Sequence, residues 1–296
     1  MMTIPENWPF IVATGLRKVF LDVYKEQPAN VPTLFNMQPS QKSQEFDLSD
    51  EQNSVWTALN DDINFRSDIE GYRTTYTHAE FSDGKKIKRR LLMDDLYGVL
   101  QRKPAQMAMG ARTKRETDGA SVFNNSFSSG FTGGDSLSLC NSAHTFRNSA
   151  STFSNTGVLS LTPANVEATR KNMVKLKHAD GTPKGLMPDM LVYGIDQEQT
   201  GWEIINTSGQ VNTALNNSNF HKGRYKALVW PNYVASTTQW WMLDSRMMKL
   251  FLLWFDREPI QFFKDRDFGV LAAGYAGYMV YSYGWSDPSF VFGQNP

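Results

Sequence analysis

Residues 104–127 have the composition of a helix but almost none of the apolar surface that normally holds a helix in place. Ala, Met, Gln, Arg, Lys and Glu dominate, and all are good helix formers. The apolar stripe comes down to Met107, Ala111 and Val122. A helix this polar either bridges solvent or packs through polar contacts. Upstream, Leu91–Leu100 opens a helical region with Asp94 and Asp95 suited to its N-terminus. Pro104 suits the first turn of a restarted helix.

The segment before it reads as a long hairpin over residues 63–93. Ile63, Phe65, Tyr72, Thr74, Tyr76 and Ile87 favour strand, and Ser82-Asp83-Gly84 supplies a turn signal at the tip. Both faces read as polar, and a two-stranded ribbon of that kind is marginal alone. It therefore needs a surface to lie on, with a neighbouring subunit as the natural candidate. The sharpest charge feature is its basic run, Lys85, Lys86, Lys88, Arg89 and Arg90. Three readings stand. It is a nucleic-acid patch, a solvated edge that resists unwanted strand pairing, or a partner for acidic runs on another copy, such as Glu45, Asp47, Asp50 and Glu51 or Asp61 and Asp62. The last two outweigh the first, because 30 basic and 30 acidic residues leave no net charge. A freely diffusing nucleic-acid binder normally carries a basic excess, whereas zero net charge permits dense self-association.

Elsewhere the chain mixes helices and strands. Thr14–Tyr24 has Leu16, Val19, Phe20 and Val23 on one helical face. The Pro28, Pro32 and Pro39 stretch after it is either an arm onto another subunit or a strap on its own core. Residues 121–160, rich in Ser, Asn, Gly and Thr, predict a loop with short irregular strands. Thr162-Pro163 caps a helix with Val166, Thr169, Met173 and Leu176 in register, stopped by Gly181. Met190–Ile195 predicts a buried strand, and Asp196 with Gln199 a capping pair for a helix through Ile205. The aromatic C-terminal part predicts strands at Tyr225–Trp230, Gln239–Leu243, Lys249–Asp256, Ile260–Phe263 and Val270–Tyr283.

No catalytic or ligand constellation is specific. Gly130-Phe-Thr-Gly133-Gly134 lacks the Lys-Ser/Thr pair of a phosphate loop, and there is no Gly-x-Ser-x-Gly elbow. His78, His144, His178 and His221 show no metal-ligand spacing. Cys140 is the single cysteine, so neither an internal disulfide nor a cysteine zinc site can form. Asp94 and Asp95 are adjacent and so face apart on a helix, a poor acid–base pair. No catalytic residue, cofactor or metal is expected. Trp240, Trp241 and Trp254 read as packing in a β-rich core. No signal peptide is visible and no apolar run spans a bilayer, so no membrane partner is expected.

The order of parts resembles that of tailed-phage major capsid proteins with the HK97-type fold, and more specifically the Mu-type major head subunit family. Four stretches carry this. They are Leu91-Leu-Met-Asp94-Asp95 after the hairpin; the loop Asp118-Gly119-Ala-Ser-Val-Phe123 with Ser142-Ala-His144 beyond it; Thr162–Lys177 with Gly181, Pro188 and Leu191-Val192; and Tyr278-Met-Val-Tyr-Ser-Tyr-Gly-Trp285-Ser-Asp287-Pro-Ser-Phe290. The likeness covers roughly residues 60–293, and the Ser/Asn-rich residues 124–160 depart from it. It implies an α+β subunit with an N-terminal arm (1–55), an extended hairpin or E-loop (56–93), a peripheral lobe with a long spine helix (94–161), an axial α/β lobe (162–260) and a return to the peripheral lobe with a C-terminal strand (261–296). It further implies hexamers and pentamers of an icosahedral shell around non-specifically contacted double-stranded DNA, with portal, scaffold or decoration proteins as further partners. The shell would be a virion head assembled in the host cytoplasm.

Competing readings are an encapsulin-like compartment on the same fold, a carbohydrate-binding tail or adhesin module using the tryptophans, and a hydrolase using His144 with a carboxylate. The long polar helix argues against an adhesin, since such modules are mostly all-β.

Overall fold

A computed structural model describes residues 8–49, 51–52, 56, 58–59, 65, 70–88, 99–209, 217–267 and 272–296. Its helices are α1 (Trp8–Glu26), α2 (Val31–Leu34), α3 (Val99–Asn124), α4 (Pro163–Val174), α5 (Glu198–Asn206) and α6 (Ser245–Phe251). Its strands are β1 (Asn36–Pro39), β2 (Gln44–Leu48), β3 (Arg73–Thr77), β4 (Ala79–Lys88), β5 (His144–Phe146), β6 (Ser149–Phe153), β7 (Thr156–Gly157), β8 (Met190–Tyr193), β9 (Lys226–Val229), β10 (Trp240–Leu243), β11 (Leu252–Asp267), β12 (Ala272–Trp285) and β13 (Val291–Gln294).

Two sheets organise the chain. The first runs β1-β11-β12-β4, and the second β7-β13-β10-β8-β9. β11 and β12 pair from Leu252↔Trp285 to Asp267↔Ala272, with register irregularities between Asp256 and Gln261. Pro259 falls in that interval, where a proline costs no ladder bond. The two strands predicted at 249–256 and 260–263 are thus one long bulged strand. The residues just before it fold instead as α6, capped by Asp244, which accepts from the N–H groups of Arg246 and Met247.

β12 pairs on its other side with β4, from Tyr281↔Ala79 to Ala272↔Lys88. This corrects the hairpin reading. Ser82, Asp83 and Gly84 lie in mid-strand opposite Tyr278, Gly277 and Ala276 rather than at a tip. A long aromatic partner strand has overridden a local turn preference. The antiparallel ribbon is instead β2 with β3, Gln44↔Thr77 to Leu48↔Arg73.

The Pro-rich N-terminal stretch is a strap on its own core over residues 31–39. Val31, Leu34 and Phe35 are sealed inside, Phe35 meets Trp254 edge-on at 5.5 Å, and β1 runs parallel to β11. α1 starts earlier than predicted and buries Leu16 and Phe20. Phe20 packs on Phe262 beside Met107 and Tyr275.

α3 ends at Asn124 and carries Pro104 internally, so that proline starts no new helix. The Asp118-Gly119 stretch read as a loop belongs to the helix. Gly119 is needed there, because a Cβ would sit 2.6 Å from Val31 Cγ2.

The second lobe is closer to its sequence. β8 and β10 are wholly buried. α4 starts at Thr162, whose hydroxyl accepts from the Asn165 N–H, and buries Val166, Thr169 and Met173. It ends at Val174, so Gly181 (φ 83°) shapes a later turn rather than the helix stop. Asp196 makes no cap: it sits in a 3-10 turn, Ile195–Gln197, ahead of α5.

Candidate assembly surface

The candidate contact residues divide between two sheets. Lys85 and Lys86 are exposed on β4, the outer strand of the four-stranded sheet, and Lys88 ends that strand. Glu45 and Asp47 lie on β2 in the ribbon. Within one chain Glu45 is taken up locally: it accepts from Ser40 Oγ at 2.8 Å and Lys42 Nζ at 3.1 Å. These bonds hold its carboxyl below the usual range. Asp47 stands opposite Thr74. Arg89, Arg90, Asp61 and Asp62 lie outside the described residues.

The sequence reading missed the apolar character of the ribbon and the chain between its strands. Phe46 (56% exposed), Leu48, Trp56 (95%), Leu59 and Phe65 (88%) all present large apolar side chains to solvent. Scattered exposed hydrophobics need no explanation, but these five fall within twenty residues of sequence. Phe46 also carries the Arg73 guanidinium 4.2 Å over its ring. The signal lay in the spacing Phe46, Leu48: alternate positions of a strand share a face.

The ladder of this ribbon continues past Leu48 and Arg73, and that end contacts the rest of the chain. Ser49 N–H donates to the Tyr72 carbonyl at 2.9 Å, and Tyr72 N–H to Ser49 Oγ at 2.7 Å. Tyr76 is buried against Phe255, centroids 5.1 Å apart. The β5–β6 hairpin grips the same end. Arg147 Nη1 donates to the Gly71 carbonyl at 3.2 Å, and its backbone N–H donates to Glu51 Oε1 at 2.8 Å. Tyr72 and Thr145 hydroxyls meet at 3.0 Å. Side-chain bonds thus help order residues 125–160, beside the core packing of Phe127, Phe131, Leu139 and Cys140. Their hub is the wholly buried Asn155, which donates to the carbonyls of Leu139 (2.8 Å) and Pro288 (3.0 Å) and accepts from Asn141 N–H (2.8 Å).

α3 turns its charges inward at its C-terminal half. Arg115 makes a two-pronged bond to Asp256, at 2.8 and 3.0 Å, beneath the stacked rings of Trp254 and Tyr281. Burial opposes its charge, but the Asp256 bond holds its pKa above the ordinary value. Asp118 accepts from the Tyr281 hydroxyl at 2.6 Å and from Lys114 at 2.7 Å. This part of the rod is thus satisfied by its own chain.

His144 is likewise structural in its surroundings. Its Nδ1 lies 2.6 Å from Asp135 Oδ2, the ring is fully buried, and one face stacks on Phe153 at 5.0 Å. No substrate reaches a ring so enclosed. Burial pushes the Cys140 thiol up to about 12, which removes it as a nucleophile. Lys184 and Asp287 form a buried pair at 3.0 Å. Burial works against the Asp287 charge, but Lys184 and bonds from Ser289 outweigh it and hold its pKa below the usual value. Among the described residues no cluster of three or more His, Cys, Asp or Glu is placed to hold a metal.

A family described as phage capsid protein matches residues 71–292. No curated protein matches the sequence. Among solved structures, the capsid of bacteriophage JBD30 decorated with minor capsid protein trimers matches with a TM-score of 0.55 and 11% identity, over 69% of this chain and 91% of that one. The capsid of cyanophage P-SCSP1u gives 0.59 and 8%, over 91% and 88%. A virus-like particle from Pyrococcus furiosus gives 0.53 and 8%, over 96% and 99%. At these identities the likeness is one of fold: a mixed α+β chain of the HK97 type.

Proposed function

Since this chain belongs to the phage capsid protein family, we propose that its copies close into the hexamers and pentamers of an icosahedral shell around double-stranded DNA. It is a major capsid protein, a structural component of the virion shell rather than an enzyme. The observation that carries the mode of assembly is the ribbon: Tyr76 and Gly71 tie it to Phe255 and Arg147 while Phe46, Trp56 and Phe65 stay in solvent. A subunit keeps such a projection only if a neighbour covers it.

In this reading β2–β3 and the chain between them are the E-loop, α3 is the spine helix, and the five-stranded sheet with α4 and α5 forms the axial lobe. The run Lys85–Arg90 meets acidic residues of an adjacent copy. Affinity with the Mu-type head subunits is supported by the tail Tyr283-Gly-Trp-Ser-Asp287 and by Thr162–Lys177. Portal and scaffold proteins follow from the resemblance. Decoration follows from the JBD30 capsid, which carries minor capsid protein trimers.

Negative-stain microscopy and sedimentation of the purified chain test the proposal. Closed shells, or hexameric and pentameric rings, are the expected result. A solution holding nothing but small monodisperse particles at high concentration would overturn it.

A further inference from the structure

The lobe built on the five-stranded sheet sorts its charges into two poles. Residues 168–177 carry Arg170, Lys171, Lys175 and Lys177, residues 222–226 carry Lys222, Arg224 and Lys226, and neither stretch holds an acid. Residues 185–221 hold no Lys or Arg, and their acids are Asp189, Asp196, Glu198 and Glu203. The whole chain is neutral, so the segregation is local.

The fold gathers the basic set. His221 Nε2 lies 3.0 Å from the Pro163 carbonyl and donates to it, since a carbonyl only accepts. That bond brings residues 222–226 beside α4, where the charges of Arg170 and Arg224 both reach Tyr225. Arg170 is half-buried, and the other cations of this pole are exposed. Glu167 next to them is taken up by Arg170 at 2.8 Å and Lys171 at 3.5 Å. At the acidic pole, Asp196 and Glu198 are exposed where α5 begins. Ile195 (50% exposed) and Trp202 (59%) stand in solvent on the same short stretch. α4 is tied to β13 by Gln294 Nε2 on Thr169 Oγ1 at 2.8 Å, while α5 packs on β9. β10 and β8 separate those two strands, so the helices lie towards opposite sides of one sheet.

Like charges held together repel, and a surface of opposite sign relieves that repulsion. A contact between two unlike surfaces, repeated from copy to copy, closes into a ring. Resting on the shell reading above, we propose that the acidic start of α5, with Ile195 and Trp202, docks on the basic surface of α4 and residues 222–226 of the next copy in each ring. The apolar pair supplies buried area, and the indole face suits the cations it meets. The charges set which surfaces pair.

Reversal of each pole in the full-length chain tests this. One variant carries Asp196→Lys with Glu198→Lys, a second Lys175→Glu with Arg224→Glu, and a third all four changes. Sedimentation and microscopy read assembly, and circular dichroism reads folding. Each of the first two is expected to lose about tenfold or more in yield of rings and shells, because like poles then face each other. The third exchanges the poles and is expected to recover most of the yield. An equimolar mixture of the first two is also expected to form rings, since copies that alternate meet opposite signs at every contact. Only rings with an even number of copies can alternate, and mixing cures no folding defect. Recovery in the third variant or in the mixture supports the docking. Recovery in neither, or normal assembly of either of the first two, overturns it. A second variant that assembles normally but retains less DNA assigns the basic pole to nucleic acid and likewise overturns it. If the reversals unfold the chain, wild-type copies decide: light and heavy-nitrogen subunits are assembled together and joined by a zero-length carbodiimide. Mixed light–heavy peptides linking residues 195–203 to 170–177 or 222–226 support the docking, and their absence overturns it. A wild-type chain that forms no rings fails the shell reading together with this docking, whereas wild-type shells with unaffected variants fail the docking alone.

Discussion

Glu116 accepts the indole N–H of Trp230 at 3.0 Å, with both side chains sealed from solvent. The same carboxylate caps α2, accepting from the N–H groups of Asn30 at 3.1 Å and Val31 at 3.4 Å. One helical residue thus organises α2, α3 and the chain beyond β9. Glu116→Ala would take the acceptor from three donors, two of them buried. We expect a loss of about 3 kcal/mol in chemical denaturation, with Glu116→Gln losing less because it still accepts.

Asp256 carries a comparable role on β11, receiving Arg115 twice and the Trp254 indole N–H at 3.0 Å. Asp256→Ala leaves a guanidinium inside with no counter-charge. Denaturant titration is expected to show a loss of about 3–5 kcal/mol. A loss below about 1 kcal/mol, the size of a surface pair, would show that water reaches the site.

The Lys184–Asp287 pair sets a pH dependence. Asp287 has its pKa depressed in the fold, so its contribution is present above the ordinary carboxyl value of 3.8 and fades as pH falls through the lowered one. Lys184→Met removes the lysine charge beside the carboxylate, and its pKa should rise. The variant is expected to lose about 3 kcal/mol at neutral pH, and the deficit should shrink on acidification as Asp287 takes up a proton. A deficit independent of pH would place the cost in packing instead.

Charge reversal at Arg89 and Arg90, or at Lys85 and Lys86, is expected to lower particle yield while leaving the subunit folded. Particle counts by microscopy beside circular dichroism of the subunit give both readouts. Normal yield would refute the pairing of this run with acidic residues of another copy.

Trp56→Ser and Phe65→Ser separate assembly from folding. Both side chains are exposed in the single subunit, so stability should stay within about 0.5 kcal/mol of wild type. Shell formation should nonetheless fail or slow in light scattering. Unchanged assembly kinetics in both variants would move the contact elsewhere.

The elements with short-range causes were legible in the sequence. Thr162 before Pro163, with Val166, Thr169 and Met173 at helical spacing, is α4 as observed. The apolar runs at Met190 and Trp240 became buried strands for the same reason. The long strand β4 was not legible: Ser82-Asp83-Gly84 is turn-forming by composition, and only the fourteen residues of β12 beside it make it strand. The candidate contacts were legible as charge but not as surface. Phe46, Trp56 and Phe65, which the structure exposes, look in sequence like ordinary core residues.

The sequence by itself determined the alternation of helices and strands, the lack of a specific catalytic motif and a family pattern spread along the chain. The tertiary structure alone decided which polar groups lie inside. Arg115 and Asp256 are 141 positions apart, and Glu116 and Trp230 are 114 apart. Periodicity reports how near neighbours share a face, so a charged residue on a helix reads as solvated. It becomes interior only when a distant partner neutralises it, and that pairing exists nowhere but in the folded chain.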